Sequence, residues 1–289
     1  IEQGAELSVN GELRIPSRDN GNKLTVNGIL KVSENGKLSV GEKSQITVGA
    51  SGELSLPAMS NEEMAGASGS DSGIKGYIYI DGGADVSYAG QKITGDTDAY
   101  LVMTDGSAAV LDLTGANNGD KSVIGLELEK GKASVEVSLL KSIFMSSEGE
   151  IIPVSVKIAE NAALDLSAGK TLSLANGSSI ESDGTVNVNG GILEIHTAAA
   201  VSGNFNVNND GQIYIYGGVD TVSGAKFDIN VKKDGNGGVF TKDNIDISQT
   251  MAKEGSEPLS VSFTYHSNAA GSDETFTSRW LYTEYTIFF

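Results

Sequence analysis

The sequence predicts an all-β fold, a right-handed parallel β-helix (β-solenoid) or a close relative of it. Three observations indicate this fold: short apolar pairs of the form Leu-x-Val, Asn-Gly or Ser-Gly dipeptides between them, and the return of the pattern later in the chain. The 289 residues include 37 glycines but only 4 prolines, and 6% are aromatic. This composition suits many tight corners between aliphatic strands better than a helical protein.

The first run of apolar pairs predicts seven short strands. Members of a pair lie two residues apart, so both side chains point to one face of a strand and the residue between them to the other. The pairs are Leu7/Val9, Leu13/Ile15, Leu24/Val26, Leu30/Val32, Leu38/Val40, Ile46/Val48 and Leu54/Leu56. The glycines between them predict corners with positive φ. These corners are Asn10-Gly11, Asn20-Gly21, Asn27-Gly28, Asn35-Gly36 and Ser51-Gly52.

The same pattern returns in a second run. Its pairs are Leu164/Leu166, Leu172/Leu174, Val186/Val188, Leu193/Ile195, Phe205/Val207, Ile213/Ile215 and Phe227/Ile229. Its corners include Asn176-Gly177, Asp183-Gly184, Asn189-Gly190 and Asp210-Gly211. Asn-Gly also favours hairpins, so an antiparallel meander or sandwich is the alternative. Strands this short suit one side of a solenoid coil better than a ladder of hairpins. Three such strands in each coil predict coils of about 20–25 residues, stacked about 4.8 Å apart.

The pattern also predicts the domain organisation. A β-solenoid is expected over residues 1–231, with an inserted loop at 57–73, and residues 74–115 and 121–158 are expected to form wider coils. Residues 232–289 have a different composition, with eight aromatic residues from Phe263 onward, a concentration that the solenoid lacks. We expect them to form a C-terminal cap, because the end of a solenoid exposes core and strand edges. A small appended ligand-binding β module is the alternative.

Charge and composition narrow the classes of partner. The formal net charge is −18, and no run of basic residues offers the patch that nucleic acid or an anionic membrane requires. Without cysteine, neither disulfides nor thiolate metal sites are available. No apolar stretch approaches the roughly 20 residues of a membrane span, so no membrane insertion is expected in this segment. The chain starts at Ile1, which predicts a mature or truncated protein.

Two runs of sequence carry a resemblance to a known group of proteins. LTVNGILKVSENGKLSVGEKSQITVGASGELSL and LDLSAGKTLSLANGSSIESDGTVNVNGGILEIH resemble the passenger regions of bacterial autotransporters and related pectin-lyase-like β-helix surface proteins. The resemblance covers roughly two-thirds of the chain and implies an extracellular or bacterial cell-surface location. That class includes adhesins, structural proteins and polysaccharide-degrading enzymes, so the fold does not choose between them.

The motifs of the enzymes in this class do not match. The sequence has no Asp-Asp dipeptide and no Arg-x-Lys, and its histidines, His196 and His266, lack the Gly-His-Gly context that polygalacturonase-like hydrolases carry. Scarce arginine and negative charge disfavour a polyuronate lyase. Asp71-Ser72-Gly73 is similar to the nucleophile motif of chymotrypsin-like proteases, but no histidine precedes Ser72 to serve as its base. No catalytic residue and no cofactor are therefore predicted.

Two acidic glycine-rich segments, residues 81–85 and 234–244, supply oxygen ligands of the kind calcium prefers. The second fails the EF-hand spacing, because Gly238 stands where an acidic or amide side chain is needed. We interpret both as turns and predict no metal site.

Two similar strands carry the candidate ligand-binding residues. Strict alternation in Tyr77-Ile78-Tyr79-Ile80 and Ile213-Tyr214-Ile215-Tyr216 places isoleucines on one face and Tyr77, Tyr79, Tyr214 and Tyr216 on the other. Outward tyrosines stack on sugars or anchor a protein partner, although tyrosine also favours strands for purely structural reasons.

These observations lead to three functional hypotheses. The first is a noncatalytic bacterial cell-surface or secreted adhesin or structural protein that binds a glycan or a host or cell-surface protein. The alternative is a carbohydrate-active β-helix enzyme, a polysaccharide lyase or hydrolase. The third is self-association into a surface layer or fibre.

Overall fold

The computed structural model describes residues 1–60, 63–64, 72–96, 98–113, 123–138, 144–174, 177–217, 219–222, 224–231, 237–241, 262–269 and 272–279. Over these residues the chain is a β-solenoid of about nine turns, which confirms the predicted fold class. An 18-stranded sheet, a four-stranded sheet and a two-stranded sheet form its sides.

The first block of the solenoid contains nine strands. They are β1 to β9, at Glu6–Val9, Glu12–Ile15, Lys23–Val26, Ile29–Val32, Lys37–Val40, Gln45–Val48, Glu53–Leu56, Tyr77–Asp81 and Asp85–Tyr88. Strands β1, β4, β7 and β9 stack in parallel on one side, β3, β6 and β8 on a second, and β2 and β5 on a third. Glu6 lies beside Ile29 and Ile29 beside Glu53, so successive coils hold 23 and 24 residues, as the sequence predicts.

The predicted apolar pairs form the core. Leu30, Ile46 and Leu54 are fully buried, and the residues between pair members point outward. The first coil is a partial exception: Leu7 is 39% exposed, and Leu13 is half-buried. Among the described residues, this coil pairs with another coil on one side.

Corner glycines differ in part from the prediction. Gly21, Gly177 and Gly190 have positive φ, but Gly36 and Gly52 do not. There the glycine backbone lies directly against a carbonyl oxygen of the preceding coil, Val9 O for Gly36 and Val26 O for Gly52, leaving no room for a β-carbon. The close stacking of the coils, rather than a left-handed backbone, explains these glycines.

The middle of the chain also differs from the prediction of wider coils. Strands β10 to β12, at Gln91–Thr94, Leu101–Met103 and Ala108–Asp112, run antiparallel to neighbours in the 18-stranded sheet, and we call them the antiparallel junction. Strands β9 and β10 form a hairpin whose two-residue loop has positive φ at both Ala89 (52°) and Gly90 (76°). Such loops match the twist of antiparallel strands, so the chain reverses instead of coiling.

The second block begins with β13, Ile124–Val135, whose first half pairs with β12 and whose second half pairs with β11. It continues as β14 to β22, at Val154–Ile158, Ala162–Ser167, Thr171–Leu174, Ser179–Asn189, Ile192–Ile195, Ala200–Asn208, Gln212–Ile215, Ala225–Val231 and Gly238–Thr241, with a 3₁₀ turn at Val219–Val222. Its strands stack in parallel again.

One predicted corner of the second block is absent. Asp183-Gly184 lies inside the long strand β17, where the register shifts between Ser182 and Val186. Gly184 lies against the carbonyl oxygens of Ala159 and Ala162, so the same close stacking explains this glycine.

The backbone of the C-terminal region continues the 18-stranded sheet. Strand β23, Ser262–Ala269, pairs in parallel with β21, and β24, Ser272–Arg279, pairs antiparallel with β23. The aromatic residues from Trp280 onward lie outside the described residues, as do 61–62 and 65–71 of the predicted inserted loop. The aromatic cap and the division at residue 231 therefore stay predictions.

Candidate functional site

The four candidate tyrosines lie on the outward faces of their strands. Ile78, Ile80 and Ile213 are fully buried on the inward face of the same strands. Of the four candidates, only Tyr77 is exposed, at 44%. In the described part of the chain two other large apolar residues are exposed, Leu7 and Met145, each at 39%. Tyr79, Tyr214 and Tyr216 are half-buried.

The structure does not bring the four tyrosines together. Tyr77 and Tyr79 belong to β8 of the 18-stranded sheet, whereas Tyr214 on β20 and Tyr216 directly after it belong to the four-stranded sheet. The tyrosines therefore form two separate surfaces, which we call the β8 surface and the β20 surface.

The β8 surface is acidic as well as aromatic. Tyr79 has Thr47 of β6 on one side and Val110 of the antiparallel junction on the other. Burial raises the pKa of Tyr79, and the negative charges of Glu129 and Glu127 add to the effect. The surface thus combines an exposed phenol ring with nearby carboxylates.

The β20 surface contains a polar cluster that sequence reasoning missed. Glu194 accepts hydrogen bonds from Ser173 Oγ on Oε2 at 2.6 Å and from Tyr216 OH on Oε1 at 3.1 Å. The His196 ring stacks on the Tyr216 ring, with centroids 4.5 Å apart and planes 7° from parallel. Tyr214 OH donates to Gln212 Oε1 at 3.0 Å. Both tyrosine hydroxyls of this surface therefore have partners within the protein.

Stacking of coils explains the cluster. Ser173 lies beside Glu194 and Glu194 beside Tyr214 in the registers of β16, β18 and β20. A spacing of one coil between polar residues is the sequence signal that could have revealed this grouping, once the coil length was known.

Ser173, His196 and Glu194 are the residue types of a catalytic triad, but their geometry differs from one. In a triad the serine and the acid lie at opposite nitrogens of the imidazole. Here Ser173 Oγ lies 3.1 Å and Glu194 Oε2 3.5 Å from the same atom, His196 Nε2, and the serine donates its proton to the carboxylate. The imidazole therefore does not lie between the serine and the acid as it does in a triad, and the arrangement orders side chains on the sheet surface.

The ionisation of Glu194 follows from these contacts. Partial burial alone would raise its pKa, but the hydrogen bonds from Ser173, Tyr216 and His196 together outweigh burial and lower it. The carboxylate therefore stays charged as the common acceptor of the cluster.

Outward-facing asparagine side chains form rows across β17 and β19. Asn187 Nδ2 donates to Asp165 Oδ1 at 2.8 Å, and Asn206 Nδ2 donates to Asn187 Oδ1 at 3.0 Å. In the neighbouring row Asn208 Nδ2 donates to Asn189 Oδ1 at 3.1 Å. These side-chain bonds run from coil to coil, so they reinforce the backbone pairing of β15, β17 and β19.

The described residues offer no metal centre and no membrane-spanning helix. No three acidic or histidine side chains among them lie close enough to hold a metal ion. Asp85, in the first acidic segment, instead pairs with Lys92 Nζ at 2.7 Å. Most of the second segment, 234–244, lies outside the described residues. No helix in the described part of the chain is long and apolar enough to cross a membrane.

The fold and these surfaces define the chain as a β-solenoid protein with polar and aromatic outward faces. Comparison with known proteins found no matching family model, no matching curated protein and no matching solved structure.

Proposed function

We propose that this chain is a noncatalytic bacterial cell-surface or secreted protein, an adhesin or structural stalk whose partner is a glycan or a host or cell-surface protein. The observation that carries the proposal is Tyr77, a residue 44% exposed on the outward face of a continuous sheet. Exposed tyrosines contribute apolar area and a hydroxyl at small entropic cost, which is why they are frequent anchors of binding surfaces.

The scaffold supports this role. Strands of the 18-stranded sheet hold β8 between β6 and β12, so the backbone of Tyr79 is paired on both sides and that of Tyr77 on the β6 side. A surface on such a rigid element needs little ordering when a partner binds. The net charge of −18 favours an uncharged or basic partner over an acidic one.

The enzymatic alternative has less support. The grouping closest to a catalytic site among the described residues is that of Ser173, Glu194 and His196, and its serine donates directly to the acid rather than to the histidine. Hydrolysis or elimination needs a group placed to take a proton, and the carboxylate of Glu194 is already shared among Ser173, Tyr216 and His196.

The proposal predicts that truncation of the Tyr77 side chain weakens binding to the partner. Tyr77→Ala should weaken binding to the partner at least tenfold, about 1.4 kcal/mol, because the exposed ring is the anchor. Partners would be found on glycan and host-protein arrays and affinities measured by titration.

Two matched variants serve as controls for that measurement. Leu7→Ala removes another exposed apolar side chain, at 39% exposure, from a different part of the solenoid. Met145→Ala removes the third exposed large apolar side chain, also at 39% exposure. Both should bind as the native chain does. Unchanged affinity of Tyr77→Ala would remove the β8 surface from the proposal.

A further inference from the structure

A cleft with a volume of about 480 Å³ lies on the side of the first block that carries β2 and β5. Three segments that are distant in sequence form it. The β2–β5 pair contributes Glu12, Lys37 and Ser39, the segment after β7 contributes Ser60 and Glu63, and a hairpin of the second block contributes Glu148. The tyrosine surfaces contribute no residue to it.

Buried contacts hold these segments together. The hydroxyl of Tyr88, 1% exposed, accepts a hydrogen bond from Met59 N at 3.0 Å, and its ring packs on Phe144 with centroids 5.4 Å apart. Within the hairpin, Ser146 N donates to Glu150 O at 2.8 Å. The walls of the cleft are therefore positioned before any ligand arrives, which lowers the entropic cost of binding.

The polar groups of the cleft include both donors and acceptors. Glu63 Oε2 accepts hydrogen bonds from Ser60 N and Oγ at 2.9 and 3.1 Å, and Glu12 Oε1 accepts one from Ser39 Oγ at 3.1 Å. Glu12 Oε1 also pairs with Arg14 Nε at 2.7 Å. Lys37, also in the lining, forms no ion pair within the described part of the chain.

Two apolar side chains also line the cleft. Leu38 and Met59 are 3% and 6% exposed and contribute to the surface of the cleft. Acceptors, donors and an apolar wall together match a ring that bears hydroxyl groups, since each hydroxyl both donates and accepts.

We propose that this cleft binds a short uncharged saccharide. An anionic ligand would meet three carboxylates, Glu12, Glu63 and Glu148, against one lysine. A cationic ligand would compete with the partners that these carboxylates already have, which are Arg14, Ser60 and Ser147. A neutral ring with hydroxyl groups satisfies both kinds of group. The volume falls in the range of about 300–1,000 Å³ that ligand sites occupy.

The test is calorimetric titration of the whole chain with neutral di- to tetrasaccharides, with uronate oligomers of equal length, and with tetralysine. The variant Ser147→Trp places a bulky ring at the exposed mouth of the cleft. Ser51→Trp is the matched control, since Ser51 is an exposed corner serine that does not line the cleft. At least one neutral saccharide should bind the native chain, lose at least tenfold in affinity in Ser147→Trp, and keep it in Ser51→Trp.

Three results would overturn the inference: no binding of any neutral saccharide, equal affinity in Ser147→Trp, or binding of tetralysine or uronate alone. Thermal unfolding of each variant shows whether a loss of affinity reflects a loss of fold. Because Tyr77 lies outside the cleft, a partner lost in Tyr77→Ala but kept in Ser147→Trp would leave the proposed function standing while the cleft has another role.

Discussion

At the residue scale, several corners depend on a hydrogen atom where other residues carry a β-carbon. Gly52 N donates to Gly49 O at 2.7 Å, which closes the corner before β7, and its Cα lies against Val26 O of the preceding coil. Coils about 4.8 Å apart leave room there for hydrogen but not for a methyl group. The same contact recurs at the corner residue Gly36 and at Gly184 within β17, so glycine at these positions maintains the stacking distance.

Substitution of Gly52 tests this role. Gly52→Ala should lower the free energy of unfolding by about 1–3 kcal/mol, since the methyl group must push the corner away from Val26 O. Gly11→Ala is the control, because Gly11 has open space around its Cα and no positive φ, and its stability should stay close to that of the native chain. Chemical denaturation measures both. Equal stability of the two variants would show that the corner relaxes freely.

At the scale of elements, each strand has an inward apolar row and an outward polar row. Leu172, Leu193 and Ile213 stack inward on β16, β18 and β20, while the residue after each of them belongs to the outward row of Ser173, Glu194 and Tyr214. The alternation of side chains along one strand is local, so the sequence predicts these strands and their buried face well.

Contacts between strands were less predictable. Which residue lies beside Glu194 depends on the number of residues in each coil, and that number depends on corners whose length varies. The Glu194 cluster was missed for this reason. The antiparallel junction was missed because its hairpin has alanine, at Ala89, in a position with positive φ that Asn or Gly usually occupies.

The Glu194 cluster should make stability depend on pH. The pKa of Glu194 is lower in the folded chain than the ordinary value of 4.5, so the unfolded chain binds the proton more tightly. The charged carboxylate therefore stabilises the fold above about pH 4.5, and this contribution is lost as the pH falls through the lowered pKa. Glu194→Gln should lower Tm relative to the native chain at about pH 7, and the difference should shrink in acid.

Scanning calorimetry from about pH 7 to about pH 3 would measure this difference. Tyr216→Phe keeps the carboxylate but removes one of its hydrogen bonds, so its acid-dependent loss of Tm should be smaller than in the native chain and complete at a higher pH. A constant difference between Glu194→Gln and the native chain over the whole range would contradict the assignment.

At the scale of the whole molecule, the antiparallel junction connects two parallel blocks. Leu111 of β12 is fully buried and lies between Ile78 of the first block and Leu126 of the second, in the same sheet. In a solenoid each coil contacts only its neighbours, so stability passes along the stack through such contacts. The junction is therefore one place where the two blocks stabilise one another, beside the packing of Tyr88 on Phe144.

A cavity in the junction should weaken both blocks together. Leu111→Ala should cost about 2–5 kcal/mol and reduce amide hydrogen-exchange protection in β8 and in β13, because Leu111 packs between them. Leu54→Ala is the matched control, since Leu54 is equally buried but its strand neighbours, Leu30 and Val86, both belong to the first block. In Leu54→Ala the loss of hydrogen-exchange protection should be confined to the first block. If Leu111→Ala instead reduced protection in β12 alone, the blocks would be stable independently and the junction would only tether them.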